Sequence, residues 1–189
     1  MSTDFKQIVK REYLKCVQDP IHFMRKYCTI QHPKVGKVKF DLYPFQENCL
    51  TDFKENRYNI ILKARQLGIS TLSAGYSLWL MLFHNDKNVL VIATGKDTAK
   101  NLVTKVRVMY EGLPQWLKTG TEEINKLSIR FTNGSQIKAI ASNESAGRSE
   151  ALSLLILDEA AFIEKVDVIW TAAQQTLATG GACICLSTP

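Results

Sequence analysis

The stretch Asn59-Ile-Ile-Leu-Lys-Ala-Arg-Gln-Leu-Gly-Ile-Ser-Thr71 gathers residue types that hold phosphate. Lys63 and Arg65 bring positive charge, Gly68 allows a tight turn, and Ser70 and Thr71 place hydroxyls at the head of a small, apolar run. Tyr58 to Leu62 reads as a short buried strand and Ser70 to Phe83 as a helix. A polar loop between a strand and a helix start forms a phosphate cradle, because the free N–H groups of the first helical turn point at whatever fills it. Set on the pattern G-x-x-x-x-G-K-[ST], Gly68 takes the second glycine and Ser70 the hydroxyl that binds Mg²⁺. Lys63 stands in place of the first glycine, and Ile69 in place of the lysine.

A second constellation lies about ninety residues downstream. The run LSLLIL ends in Asp158-Glu159. A strand that is apolar throughout is buried on both faces, and ligands bind at the carboxyl edge of such a parallel sheet. Asp158 is placed there to hold Mg²⁺, and Glu159 to orient and deprotonate a water. The next apolar strand, ACICL, ends in Ser187-Thr188, a hydroxylated pair that would lie beside a terminal phosphate and couple its presence to motion. Upstream, Tyr43-Pro44-Phe45-Gln46 offers an amide able to pair with the edge of adenine, and two rings, Tyr43 and Phe45, able to pack on the base.

These residues need a frame to position them. Residues 4–18 and 21–27 read as helices of a small N-terminal piece, 35–42 as a strand, and 46–54 as a helix. Residues 88–94 read as a second buried strand, followed over 96–110 by a basic helix with Lys96, Lys100, Lys105 and Arg107. That helix reads as a solvated face or as one that follows a DNA backbone. Residues 127–131 and 136–141 form a hairpin, and 166–178 a last helix. Net charge is +6 over 189 residues, which permits a polyanionic partner without requiring one. Five cysteines without a CxxC pair point to reduced thiols, and Cys28 with His32 lacks the second ligand pair of a structural zinc site. No apolar run approaches a membrane span.

Taken in order, YPFQ, ARQLGIST, IATGKDTA, LLILDEAAF and LSTP resemble the N-terminal ATPase domain of the large terminase subunit, the DNA-packaging motor of tailed bacteriophages. The resemblance spans about residues 40–189. It implies an α/β fold of the P-loop NTPase (ASCE) type: a mostly parallel sheet flanked by helices, with an inserted β-hairpin and a helical N-terminal extension over 1–34. It also implies Mg²⁺-dependent ATP hydrolysis driving viral DNA into a procapsid. In this family the loop lysine moves to the front of the loop, where Lys63 stands; Lys63, Arg65, Gln66, Leu67, Gly68, Ile69, Ser70 and Thr71 would then hold ATP. Ser70 and Asp158 would hold Mg²⁺, and Glu159 would be the base. Arg65 or Arg148 would act as an arginine finger, and Ser187 and Thr188 would couple phosphate to motion. Implied partners are double-stranded viral DNA, the portal protein, the small terminase subunit and further copies in a ring at the procapsid portal, in the host cytoplasm and without a membrane. The family's lid and metal-dependent nuclease domain are expected to lie beyond Pro189, so no nuclease activity is expected of these residues. Two other readings compete: a superfamily 2 helicase fragment, and a DNA-binding assembly module with a degenerate ATP site.

Overall fold

The computed structural model describes residues 3–32, 34–142 and 151–189, with side chains from residue 6 onward. Two helices open the chain, α1 (Thr3–Gln18) and α2 (Pro20–Tyr27). Asp19 separates them: its carboxylate accepts from the Ile21 N–H at 2.8 Å, and Pro20 occupies the first helical turn, where no N–H is needed. An antiparallel hairpin follows, β1 (Thr29–His32) with β2 (Gly36–Lys39). The boundary expected after residue 34 falls inside this hairpin, and the strand expected over 35–42 is shorter. Next come α3 (Pro44–Glu55), β3 (Tyr58–Leu62), α4 (Ile69–Phe83), β4 (Asn88–Ala93) and α5 (Lys96–Gly112). β5 (Thr121–Ile124), β6 (Ser128–Phe131), β7 (Gln136–Ala141), β8 (Leu154–Asp158), α6 (Val166–Leu177) and β9 (Ala182–Ser187) complete the order.

Among the described residues, seven strands form one sheet in the order β3-β9-β8-β4-β7-β6-β5. β3, β9, β8, β4 and β7 run parallel, whereas β6 and β5 are antiparallel. The expected hairpin, β6 with β7, extends this sheet. Its second strand pairs along the whole of β4, from Asn88 with Gln136 to Ala93 with Ala141.

Alternation divides the central strands between two cores. Val89, Val91 and Ala93 of β4, with Leu154 and Ile156 of β8, pack toward the face covered by α4 and α5. Leu90, Ile92, Leu155 and Leu157 pack toward α6 on the other face. The N-terminal helices join the first core rather than capping it from outside. Phe23 meets Phe83 edge-on at 5.2 Å, and the Trp79 indole N–H donates to the Cys16 carbonyl at 2.8 Å.

β3 departs from expectation. It reads as buried, but it forms the margin of the sheet with β9 as its neighbour, and one of its faces is bare. Ile60 is 87% exposed and Leu62 74%. An apolar run by itself does not say whether both faces are covered.

Candidate functional site

The phosphate loop lies where the sequence places it, between β3 and α4. Gly68 caps α4 with φ 72°, and Gln66 is also left-handed at φ 64°. Such turns gather backbone N–H groups on one side of a loop. Gly68 is required twice over. Its backbone is one that side chains rarely adopt, and a Cβ there would sit 2.8 Å from Nε2 of Gln46. Ile69, in the lysine's usual position, is buried in the first core and gives the loop no charge. Lys63 supplies it from the end of β3: its backbone N–H donates to the Ser187 carbonyl at 3.0 Å, and it is only 9% exposed.

The acids come to the same place because β3, β9 and β8 are adjacent parallel strands that end together. Lys63 Nζ lies 2.8 Å from Glu159 Oε1. The other carboxylate oxygen, Oε2, accepts from the Thr188 N–H at 3.0 Å and from the Thr188 hydroxyl at 3.1 Å. Ser187 Oγ accepts from the Ala161 N–H at 3.2 Å. Ser70 donates to Asp158 Oδ1 at 3.1 Å. Three segments far apart in sequence thus form one chain of contacts, from Lys63 through Glu159 to Thr188.

Glu159 is held in the left-handed region, φ 56° and ψ 48°, which costs a residue with a side chain about 1–2 kcal/mol. Such outliers persist where the surroundings fix them, often at working sites. Burial pushes the Glu159 carboxyl up, but hydrogen bonds from Lys63 and Thr188 and the charge of Lys63 outweigh it, so the group lies below the usual carboxylate range. Asp158 moves the other way. Burial raises it, against the Ser70 hydrogen bond and the nearby charge of Lys105. The two neighbouring carboxyls are thus shifted in opposite directions. A cleft of about 820 Å³ opens over these groups, lined by Lys63 to Thr71 without Ala64, and by Thr94, Lys105, Glu159, Phe162 and Thr188.

The family model for the T4-like-virus type of terminase large subunit, N-terminal part, matches residues 60–189. The chain belongs to this terminase family. Solved structures agree on the fold. The large terminase of bacteriophage HK97 superposes with a TM-score of 0.71 at 19% identity, covering 91% of this chain and 37% of that one. The large terminase ATPase domain of Thermus phage P74-26 gives 0.63 at 20% identity, over 79% of this chain and 66% of that one. A further large terminase, from a thermophilic bacteriophage and in complex with ADP, gives 0.58 at 14% identity, over 78% and 38%. This chain therefore spans well under half the length of the HK97 terminase and of the ADP-bound one.

Not every residue expected to serve a terminase site lies in the cleft. Tyr43, Phe45, Gln46, Asp158 and Ser187 stand outside its lining; of these, Asp158 accepts a hydrogen bond from the lining residue Ser70. Gln46 is 3% exposed and bridges two backbones: its Oε1 accepts from the Tyr43 N–H at 3.1 Å, and its Nε2 donates to the Leu67 carbonyl at 2.9 Å. It ties the start of α3 to the phosphate loop. Tyr43 and Phe45 are exposed and stacked, with centroids 5.7 Å apart and planes within 7°. Arg148 lies outside the described residues. Lys105, Thr94 and Phe162 also line the cleft, and the sequence does not mark them as site residues. Lys105 sits in a helix whose charge pattern reads as solvated, and only the packing of α5 against the sheet shows where it points. Away from the cleft, Glu12, Cys16 and His22 come within 4.8 Å of one another. There Glu12 is already held by Lys26 at 2.6 Å and His22 at 2.6 Å, and burial pushes the Cys16 thiol up to about 12, which disfavours a metal. No helix among the described residues is long and apolar enough to cross a membrane.

Proposed function

We propose that this chain is the ATPase motor domain of a terminase large subunit, binding ATP with Mg²⁺ and hydrolysing it to drive viral DNA into a procapsid. One observation carries the reading: Lys63, Glu159 and Thr188 form a single contact chain beside a loop that ends in a helix N-terminus. One terminase relative was solved with ADP, which supports a nucleotide in this cleft. The family match weighs against the helicase reading, and the intact Lys63–Glu159–Thr188 chain against a degenerate site.

The loop N–H groups and the N-terminus of α4 would hold the phosphates, with Gln66, Leu67 and Gly68 supplying backbone and Ser70 and Thr71 hydroxyls. Lys63 and Arg65 would balance their charge. Ser70 and Asp158 fit Mg²⁺, since a hydroxyl and a carboxylate 3.1 Å apart are the hard oxygen donors it takes. When bound, the ion would neutralise charge on the phosphate oxygens. Phosphates entering the loop would draw Lys63 from Glu159, leaving a carboxylate still aimed by Thr188. Glu159 would accept the proton of the water that attacks the terminal phosphorus, with ADP as leaving group. Ser187 and Thr188 would report the change along β9. Tyr43 and Phe45 would pack on adenine, with Gln46 at the base of the pair. An arginine finger, Arg65 or Arg148, would add charge at the transferring group. DNA, the portal protein, the small subunit and further copies in a ring, in the host cytoplasm, complete the proposed setting.

The test is ATP turnover beside binding of a slowly hydrolysed analogue, wild type against Glu159→Gln. The reading requires binding by both and turnover by wild type alone. Failure of the wild type to bind nucleotide would sink it.

A further inference from the structure

We infer that Lys105 is a third cation of the nucleotide site, delivered by α5 to the terminal phosphate of a bound nucleoside triphosphate. This rests on the reading of the cleft as a nucleotide site.

Of the basic residues of α5, Lys105 alone lines the cleft. It follows Leu102 by one helical turn on the face that packs against the sheet, where Leu102, Val106 and Met109 are buried. A long basic side chain on such a face can keep its stem on apolar surface while its head reaches a polar site. Lys105 also stands with Thr71 in the wall between the cleft and a second cavity of about 440 Å³ lined by Gln31, Asn101 and Thr104.

Two features mark the ammonium as directed at an anion. It is close enough to Asp158 and Lys63 for each to act on its charge, yet no described residue forms a hydrogen bond or ion pair with it. Burial lowers its pKa, so the charged form is being held at a cost that a phosphate would offset. Lys63 and Arg65 enter the cleft from the loop, whereas Lys105 enters it from α5, a separate element, near enough to Asp158 to act on its charge. A cation there meets the outermost phosphate of a chain that starts in the loop. Lys105 would therefore discriminate triphosphate from diphosphate.

Calorimetry with Mg²⁺ and either ATPγS or ADP tests this on wild type, Lys105→Met, Lys105→Arg and Arg107→Met. Lys105→Met should lose about 10- to 100-fold in ATPγS affinity, the worth of one charge-assisted contact, and at most a few-fold for ADP. Lys105→Arg should keep most of the preference for ATPγS, and Arg107→Met, outside the cleft, should behave as wild type. Equal losses for both nucleotides, or none, in a Lys105→Met protein of unchanged melting temperature would overturn the assignment. If Lys105→Met does not fold, the decision falls to Lys105→Gln by the same ratio. Wild type binding neither nucleotide would instead remove the nucleotide reading itself.

Discussion

Glu159 is the residue on which the most depends. It carries a strained backbone, an ion pair with Lys63 and two hydrogen bonds from Thr188, and it holds all of them next to a phosphate loop. Replacing it with glutamine keeps the size and the contacts of Thr188 while removing the charge. Turnover should fall by about 10²–10⁴-fold, the range of a lost general base, while ATPγS should bind at least as tightly, because Lys63 no longer has a carboxylate competing with phosphate. Stopped turnover with tight binding is the signature to look for; weakened binding would mean that Glu159 organises the loop instead. The reciprocal change, Lys63→Met, should cost about 1.5–3 kcal/mol of ATPγS binding, read by the same titration. The pairing of Lys63 with Glu159 could not be seen in the chain, where 96 residues separate them. The residue types could be seen, because a loop lysine and a strand-end carboxylate are each rare enough in their settings to stand out.

The elements that hold these residues differ in how plainly the sequence announces them. β4, β8 and β9 are continuous apolar runs, α4 is small and apolar, and all four lie within a residue or two of expectation. β5 and β1 are not legible in the sequence because neither alternates: TEEI is wholly exposed and TIQH half so. Their strand character comes from a partner, not from their own pattern. Gly68, between strand and helix, gives the element-scale test. Gly68→Ala would force a left-handed alanine, costing about 1–2 kcal/mol, and push on the Gln46 amide that ties α3 to the loop. Lower thermal stability and weaker ATPγS binding should appear together; loss of one without the other would separate the loop from α3. At the front of the molecule, Glu12 fastens α1 to α2 through Lys26, His22 and Tyr27. Hydrogen bonds from Lys26 and His22 bring its carboxyl down to about 2. Since the folded value lies below the unfolded one, this contribution is complete above the ordinary glutamate range and is lost as pH falls toward 2. Glu12→Gln should therefore destabilise by about 1–2 kcal/mol near neutral pH, less where solvent screens the pair, and the gap from wild type should narrow between thermal melts at pH 7 and pH 3.

For the molecule as a whole, an α/β class with helices on both faces follows from strands apolar at every position, since neither face of such a strand tolerates water. Strand order does not follow from pattern, and neither does the edge position of β3. That margin has a consequence outside nucleotide chemistry. Ile60 and Leu62 leave grease in water along a strand whose outer hydrogen-bonding edge has no partner among the described residues. Colloidally, this is a sticky stripe: two molecules can zip edge to edge, and the tendency grows with concentration. Prepared on its own, this polypeptide should scatter light at concentrations where its melting temperature is still normal. Ile60→Lys should abolish that scattering and leave melting and nucleotide binding unchanged, and scattering that persists in the variant would place the stickiness elsewhere on the surface.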